Sequence, residues 1–150
     1  MDALSNLLEA VIATDKNKAI NTAIRNNSTE ITDLNTKGQL LKGIDSTGDT
    51  FGLYHSVGYS LLKDSLAGRQ ASFGVVDLRL TGDFYKTFYV IARDTDDYFS
   101  IEADTIKEDK DLIVEYGQDI LGLTEQSKDI LNTKLIPDLI NGFKKQIGTV

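Results

Sequence analysis

Cysteine is absent from this 150-residue chain, which removes disulfide staples, thiol nucleophiles and thiolate metal sites together. The fold must therefore hold by packing alone. Tryptophan is missing as well, and histidine and proline occur once each. A lone His55 cannot build a multi-histidine metal site, and it sits in no G-x-S-x-G or Cys-His context, so it reads as a surface or half-buried residue beside Tyr54. Neither G-x-x-x-x-G-K-[ST] nor G-x-G-x-x-G occurs, which leaves nucleotide chemistry without a recognised loop. No window approaches the ~18 apolar residues of a membrane span. Met1-Asp2-Ala3-Leu4 has no basic stretch leading into an apolar one, so use without passage through a membrane by a cleavable signal is expected.

What is present points to a folded chain. Apolar residues make up 41% and charged residues 26%, values that exclude the composition of disordered segments. The length is that of one domain, taken as 1–150, with a helical region 1–37, a mixed body 39–123 and a C-terminal helix 124–150. The formal net charge of −7 repels a phosphate backbone, so sequence-specific nucleic-acid binding is not expected. Fifteen of the 23 Asp and Glu lie beyond residue 75, and any acidic working surface is expected there.

The hydrophobic pattern predicts the elements. Leu4, Leu7, Leu8, Val11, Ile12, Ile20, Ala23 and Ile24 recur at helical spacing over about 3–25, a stripe that reads as core packing, with a partner-binding helix as the alternative. Asn26-Asn27-Ser28 interrupts it, and Ser28 or Thr29 can cap a short helix carrying Ile31 and Leu34. Residues 39–54 read as a hairpin turning at Gly48, and Ser56–Leu66 as a helix stopped by Gly68. Val75–Leu80 reads as a short strand or an extended entry to the Thr81-Gly82 turn, and Phe84 to Tyr89 as a helical turn. Residues 89–93 and 98–103 flank Asp94-Thr95-Asp96-Asp97 as a hairpin. Thr105–Tyr116 reads as a helix closed by Gly117. Thr124 can cap a long C-terminal helix, which Pro137 either kinks near 134–136 or divides. The fold class expected is α+β: a small antiparallel sheet with hairpins, packed against N-terminal and long C-terminal helices.

No catalytic, cofactor-binding or metal residue emerges. Asp94, Asp96 and Asp97 resemble the start of a calcium loop, but Phe99 stands where glycine is needed and Thr105 where glutamate is needed, so a solvated turn is the better reading. Carboxylates between Glu102 and Asp119, interleaved with Lys107 and Lys110, read as a charged helix face in which Glu108 and Asp109 sit favourably in the first turn. Aromatic residues concentrate in the middle third as a shared core, with Phe84, Tyr85 and Tyr98, together with Asp94, Asp96 and Asp97, as candidate interface residues.

Two glycine-punctuated segments stand out as fixed turns: Leu78-Arg79-Leu80-Thr81-Gly82-Asp83-Phe84-Tyr85 and Tyr116-Gly117-Gln118-Asp119-Ile120-Leu121-Gly122-Leu123-Thr124. With Gln39-Leu40-x-x-Gly43-Ile44-Asp45-x-x-Gly48, they make residues 39–125 resemble tailed-phage virion-morphogenesis and tail-completion (neck) proteins, as found in phages of the Bacteroides group. Gln118-Asp119-Ile120-Leu121 replaces a run with proline and arginine that is frequent there. The resemblance implies a non-enzymatic structural subunit, made in the bacterial host cytoplasm and placed in the virion at the head–tail connector, neck or tail. Its partners would be copies of itself in a ring and neighbouring phage structural proteins. It implies Thr81, Gly82, Gly117 and Gly122 as structural turns and no cofactor. A small acidic host-acting inhibitor outside the particle is the alternative expectation.

Overall fold

The computed structural model describes residues 3–66, 68–79 and 81–148. Among these the chain is a mixture of helix and sheet, with seven α-helices and two small antiparallel two-stranded sheets. Helices α1 (Ala3–Ile12), α2 (Lys16–Asn26) and α3 (Ser28–Thr36) come first. The predicted single helix over 3–25 is therefore two. The first ends at Ile12 and Asp15 caps the second, its carboxylate accepting from Lys18 N at 3.0 Å, which satisfies a donor that a continuous helix would have bonded internally. Asn27, rather than Ser28 or Thr29, is the residue at the N-terminus of α3.

The hairpin expected over 39–54 shrinks to a single bridge between Ile44 and Thr50. Asp45 takes over its turn by accepting from Thr47 N at 2.8 Å and Asp49 N at 3.1 Å, while Gly48 adopts the positive φ the turn needs. Helix α4 (Val57–Asp64) follows, capped by Ser56. The strand predicted over 75–80 is reduced to one bridge from Val75 to Leu53, because Leu78 turns into the left-handed region at φ 52° and leaves the extended path. Leu80 lies outside the described residues.

Helix α5 (Asp83–Lys86) leads into β1 (Tyr89–Ala92), which pairs with β2 (Phe99–Glu102) in the expected hairpin, Val90 opposite Ile101 and Ala92 opposite Phe99. The helix predicted over 105–116 is a correction. Residues 106–111 form a second, minimal hairpin, β3 (Ile106–Lys107) and β4 (Lys110–Asp111), and only α6 (Leu112–Tyr116) is helical. Asp104 and Asp111 decide this locally: their carboxylates accept from Ile106 N and Ile113 N, so helix begins only after Asp111. Glu108 and Asp109 thus sit in a hairpin turn and not in a first helical turn. Helix α7 (Glu125–Gln146) is capped by Thr124, whose hydroxyl accepts from Ser127 N, and it runs through Pro137 as one helix.

Two clusters form the interior. In the first, Ala23, Ile24, Ile31 and Leu34 meet Ile101, Leu123, Leu131 and Leu135. In the second, Leu40, Val76, Leu78, Phe84, Leu112 and Ile120 pack together, and Phe88 touches both. The α1 half of the predicted N-terminal stripe and the apolar residues of α4 lie outside this interior, whereas Ala23 and Ile24 lie within it. No residue of α1 is buried, with Leu4 and Ile12 each 74% exposed. Helix α4 is reversed: it buries Ser60 and Lys63 while Val57, Leu61 and Leu62 face solvent.

Candidate functional site

The two signature turns are built differently. At the first, Gly82 takes φ 84° at the N-terminus of α5, and the Thr81 hydroxyl donates to Asp83 Oδ2 at 2.6 Å. Lys86 pairs with Asp83 at 2.8 Å, and these two neighbours hold the Asp83 carboxyl below its usual range. At the second, a side-chain clamp fixes the backbone. Asn35 Nδ2 donates to Ile120 O, Gly122 N donates to Asn35 Oδ1, Gln39 Nε2 donates to Gly122 O and Thr124 N donates to Gln39 Oε1, all between 2.9 and 3.2 Å. Gly122 also lets Ser46 approach: a Cβ there would sit 2.9 Å from Ser46 Cβ. Gly117, at φ 88°, ends α6.

The candidate interface residues separate. Asp94 pairs with Arg25 at 2.9 Å and Asp96 with Arg93 at 3.6 Å, while the buried Asn21 amide donates to Arg93 O and Asp96 O. These bonds fasten the β1–β2 turn onto α2. Phe84 is buried at 5% exposure, and Tyr85 turns inward to donate its hydroxyl to Asp77 O, so neither presents an anchor on the surface of the monomer. Tyr98 does, at 64% exposure, and Asp97 is exposed beside it.

A charged cluster at the base of α4 was not foreseen. Lys63 Nζ lies 2.6 Å from Asp77 Oδ1, both side chains 2% exposed. Tyr54 donates its hydroxyl to Asp77 Oδ1 at 3.1 Å, and Arg79 N donates to the same oxygen at 3.2 Å. Arg69 stands behind them. Its Nη2 donates to Ser72 O and Val75 O, but its buried Nε and Nη1 have no hydrogen-bond acceptor, and Nη1 reaches only to 4.0 Å from Asp77 Oδ2. Burial lowers the proton affinity of Lys63 while Asp77 works against that shift. The sequence did hold a signal: Asp77 interrupts the apolar run Val75-Val76-x-Leu78, and an unpaired carboxylate in such a run is costly.

Above this cluster opens a cleft of about 520 Å³ lined by Phe51, Tyr54, Tyr59 and Tyr116 together with the cations Arg79, Lys107 and Lys110 and the acids Glu108 and Glu115. Phe51 packs edge-on against Tyr116 and Tyr54 against Tyr59, with ring centroids 5.8 and 4.9 Å apart. The exposed His55 also borders it. A second cleft of about 550 Å³ lies between β2 and α7, lined by Ile101, Leu131 and Leu135 among others. Among the described residues no group of three His, Asp or Glu side chains is placed to hold a metal ion, and no helix is long and apolar enough to cross a membrane.

Burial raises the proton affinity of three phenols in this region: Tyr54, Tyr85 and Tyr116, the last pushed up to about 12. A raised folded-state value stabilises the fold below the ordinary tyrosine range, and the benefit is lost as pH climbs through it, because the unfolded chain ionises first. Lys63, shifted downward, opposes this as one group against three. Alkaline titration followed by circular dichroism should show stability falling above roughly pH 10, the ordinary tyrosine value; stability that stays flat to pH 12 would place these phenols in water.

Comparison with known proteins returned no matching family model, no matching curated protein and no matching solved structure.

Proposed function

We propose that this protein is a non-enzymatic structural subunit of a tailed-phage virion, at the head–tail connector, neck or tail, that works by assembling with copies of itself into a ring. The observation that carries the reading is the apolar surface that the chain leaves uncovered on two separate helices. On α1, Leu4, Leu7, Leu8, Val11 and Ile12 are 44–74% exposed, and on α4, Val57, Leu61 and Leu62 are 53–72% exposed. Helix α4 even turns its apolar residues outward while burying a lysine, the reverse of what a monomer in water favours.

A second copy of the chain fits these surfaces best. The first fifteen residues contain three acids and no lysine or arginine, which disfavours an anionic bilayer as the cover for α1. A ten-residue helix is marginal in water without a partner to pack on. Two different apolar surfaces also suit a head-to-tail contact, and head-to-tail contacts close into rings when the rotation permits. The signature turns around Gly82 and Gly122 supply the remaining support through the resemblance they carry.

The purified chain should sediment as an oligomer at micromolar concentration and appear among virion proteins by mass spectrometry. Leu8→Asp and Leu62→Asp should each shift it towards monomer, raising the dissociation constant by at least about tenfold, since burial of one leucine contributes about 1.5–3 kcal/mol. Both variants should keep the parent circular dichroism spectrum. A parent chain that is monodisperse and monomeric, alone and with its neighbours in the particle, rules the reading out.

A further inference from the structure

The cleft above Lys63 and Asp77 has a rim that folding alone does not account for. Lys107 and Lys110 are directly opposed partners in the β3–β4 ladder, and like charges at opposed positions weaken a hairpin. No carboxylate of the described residues lies within ion-pair distance of either ammonium group. The turn joining them places Glu108, a residue with a side chain, at φ 57°, a conformation that L-residues adopt at a cost. Two cations are thus held side by side, at an energetic disadvantage, on a cavity that also carries Glu108 and Glu115, neither of them ion-paired with the lysines, in a chain whose net charge is −7.

The walls specify the rest of the ligand. Tyr54 with Tyr59 and Phe51 with Tyr116 present aromatic surface, and Val76, Leu78 and Leu112 add an apolar lining. Aromatic and apolar surface takes a planar ring by stacking, while paired lysines take a compact anion as point charges. About 520 Å³ is within the range of small-molecule sites. A long nucleic-acid strand fits less well, because its many phosphates would run out over an acidic surface.

From this geometry we propose that the cleft binds a small phosphorylated molecule with a planar ring, of the nucleoside monophosphate class, its phosphate between Lys107 and Lys110 and its ring against the Phe51–Tyr116 pair. The site owes nothing to a glycine-rich loop or a helix N-terminus, so the lack of phosphate-loop motifs does not bear on it. The site does not rest on the proposed assembly, although Tyr59 on α4 belongs to its wall.

Calorimetric titration of the full chain with AMP tests it, with inorganic phosphate and a short oligothymidylate as parallel arms. AMP should bind at a single site with a dissociation constant below about 1 mM, with phosphate alone at least about tenfold weaker. Lys107→Glu and Lys110→Glu should each abolish that heat, whereas Lys16→Glu, a change of the same charge on α2, should leave it intact. Absence of heat with AMP, equal affinity for phosphate, binding of the oligonucleotide without AMP, or unchanged affinity in both rim variants would each overturn the assignment.

Discussion

Replacing Asp77 by asparagine should cost about 3–5 kcal/mol of stability, the range found when one member of a buried ion pair is removed. The expectation follows from what the carboxylate does for its neighbours. Lys63 Nζ, 2.6 Å away, is as fully enclosed as Asp77 itself, so without that charge a buried ammonium has no counter-ion. Asparagine keeps the volume and could still accept from Tyr54 or from Arg79 N, which isolates the loss of charge from a loss of packing. Arg69 makes matters worse. Its guanidinium already has two buried nitrogens without acceptors, and Asp77 is the buried anion nearest to it. A domain has roughly 5–15 kcal/mol to lose, so the variant should lie close to the edge of folding. Urea denaturation followed by circular dichroism measures this as a lower midpoint at unchanged slope. The double variant Asp77→Asn with Lys63→Met provides the control. It removes the orphaned ammonium and should recover most of the loss, because an apolar replacement of a buried pair is often neutral or stabilising. A loss below about 1 kcal/mol for Asp77→Asn would place the pair among solvent-exposed ones, whose contributions are that small.

The same pair shows where sequence reading stops. The β1–β2 hairpin was legible because its cause is local: alternating Val90 to Ala92 and Phe99 to Ile101 on either side of four turn residues. The start of α7 was legible for the same reason, through the Thr124 hydroxyl and Ser127 N. The division between α1 and α2 was not, since the apolar stripe resumes at Ile20 in helical phase with Ile12 and no glycine or proline marks the polar run between them. The β3–β4 hairpin was hidden by charge, because Glu108, Asp109, Lys107 and Lys110 suit a solvated helix as well as a tight turn. Lys63 on α4 and Asp77 in the irregular segment that follows lie fourteen positions apart, and α4 carries leucines whose spacing argues for the opposite face. Only the fold brings the two charges together, and only the fold leaves Leu61 and Leu62 in water. Gly82, Gly117 and Gly122, singled out by the sequence pattern, take positive φ, whereas the amides that secure the second turn come from outside it.

Those amides set the second large expectation: Gln39→Leu should cost about 2–4 kcal/mol, with the penalty falling on residues 120–124. Gln39 is 1% exposed and Asn35 is fully buried, and each serves the loop with both ends of its amide. Leucine is larger than glutamine by about one methylene and would fill the space, so no cavity opens. What disappears is a donor to Gly122 O and an acceptor for Thr124 N, and each buried backbone group left unsatisfied costs about 1–3 kcal/mol. The loop cannot escape by moving outward. Ile120 and Leu123 are anchored in the two separate core clusters, and Ser46 blocks Gly122 from the side, as the 2.9 Å approach of its Cβ to the glycine's vacant position shows. Thr124 is also the cap of α7, so the first turn of that helix should loosen with the loop. Hydrogen exchange can separate this from a general loss of stability. Amides from Leu121 to Lys128 should exchange faster in Gln39→Leu than the global unfolding free energy predicts, while those of β1 and β2 should follow it. If all of these amides change by the same factor, the Gln39 amide serves the whole fold without specifically holding this turn.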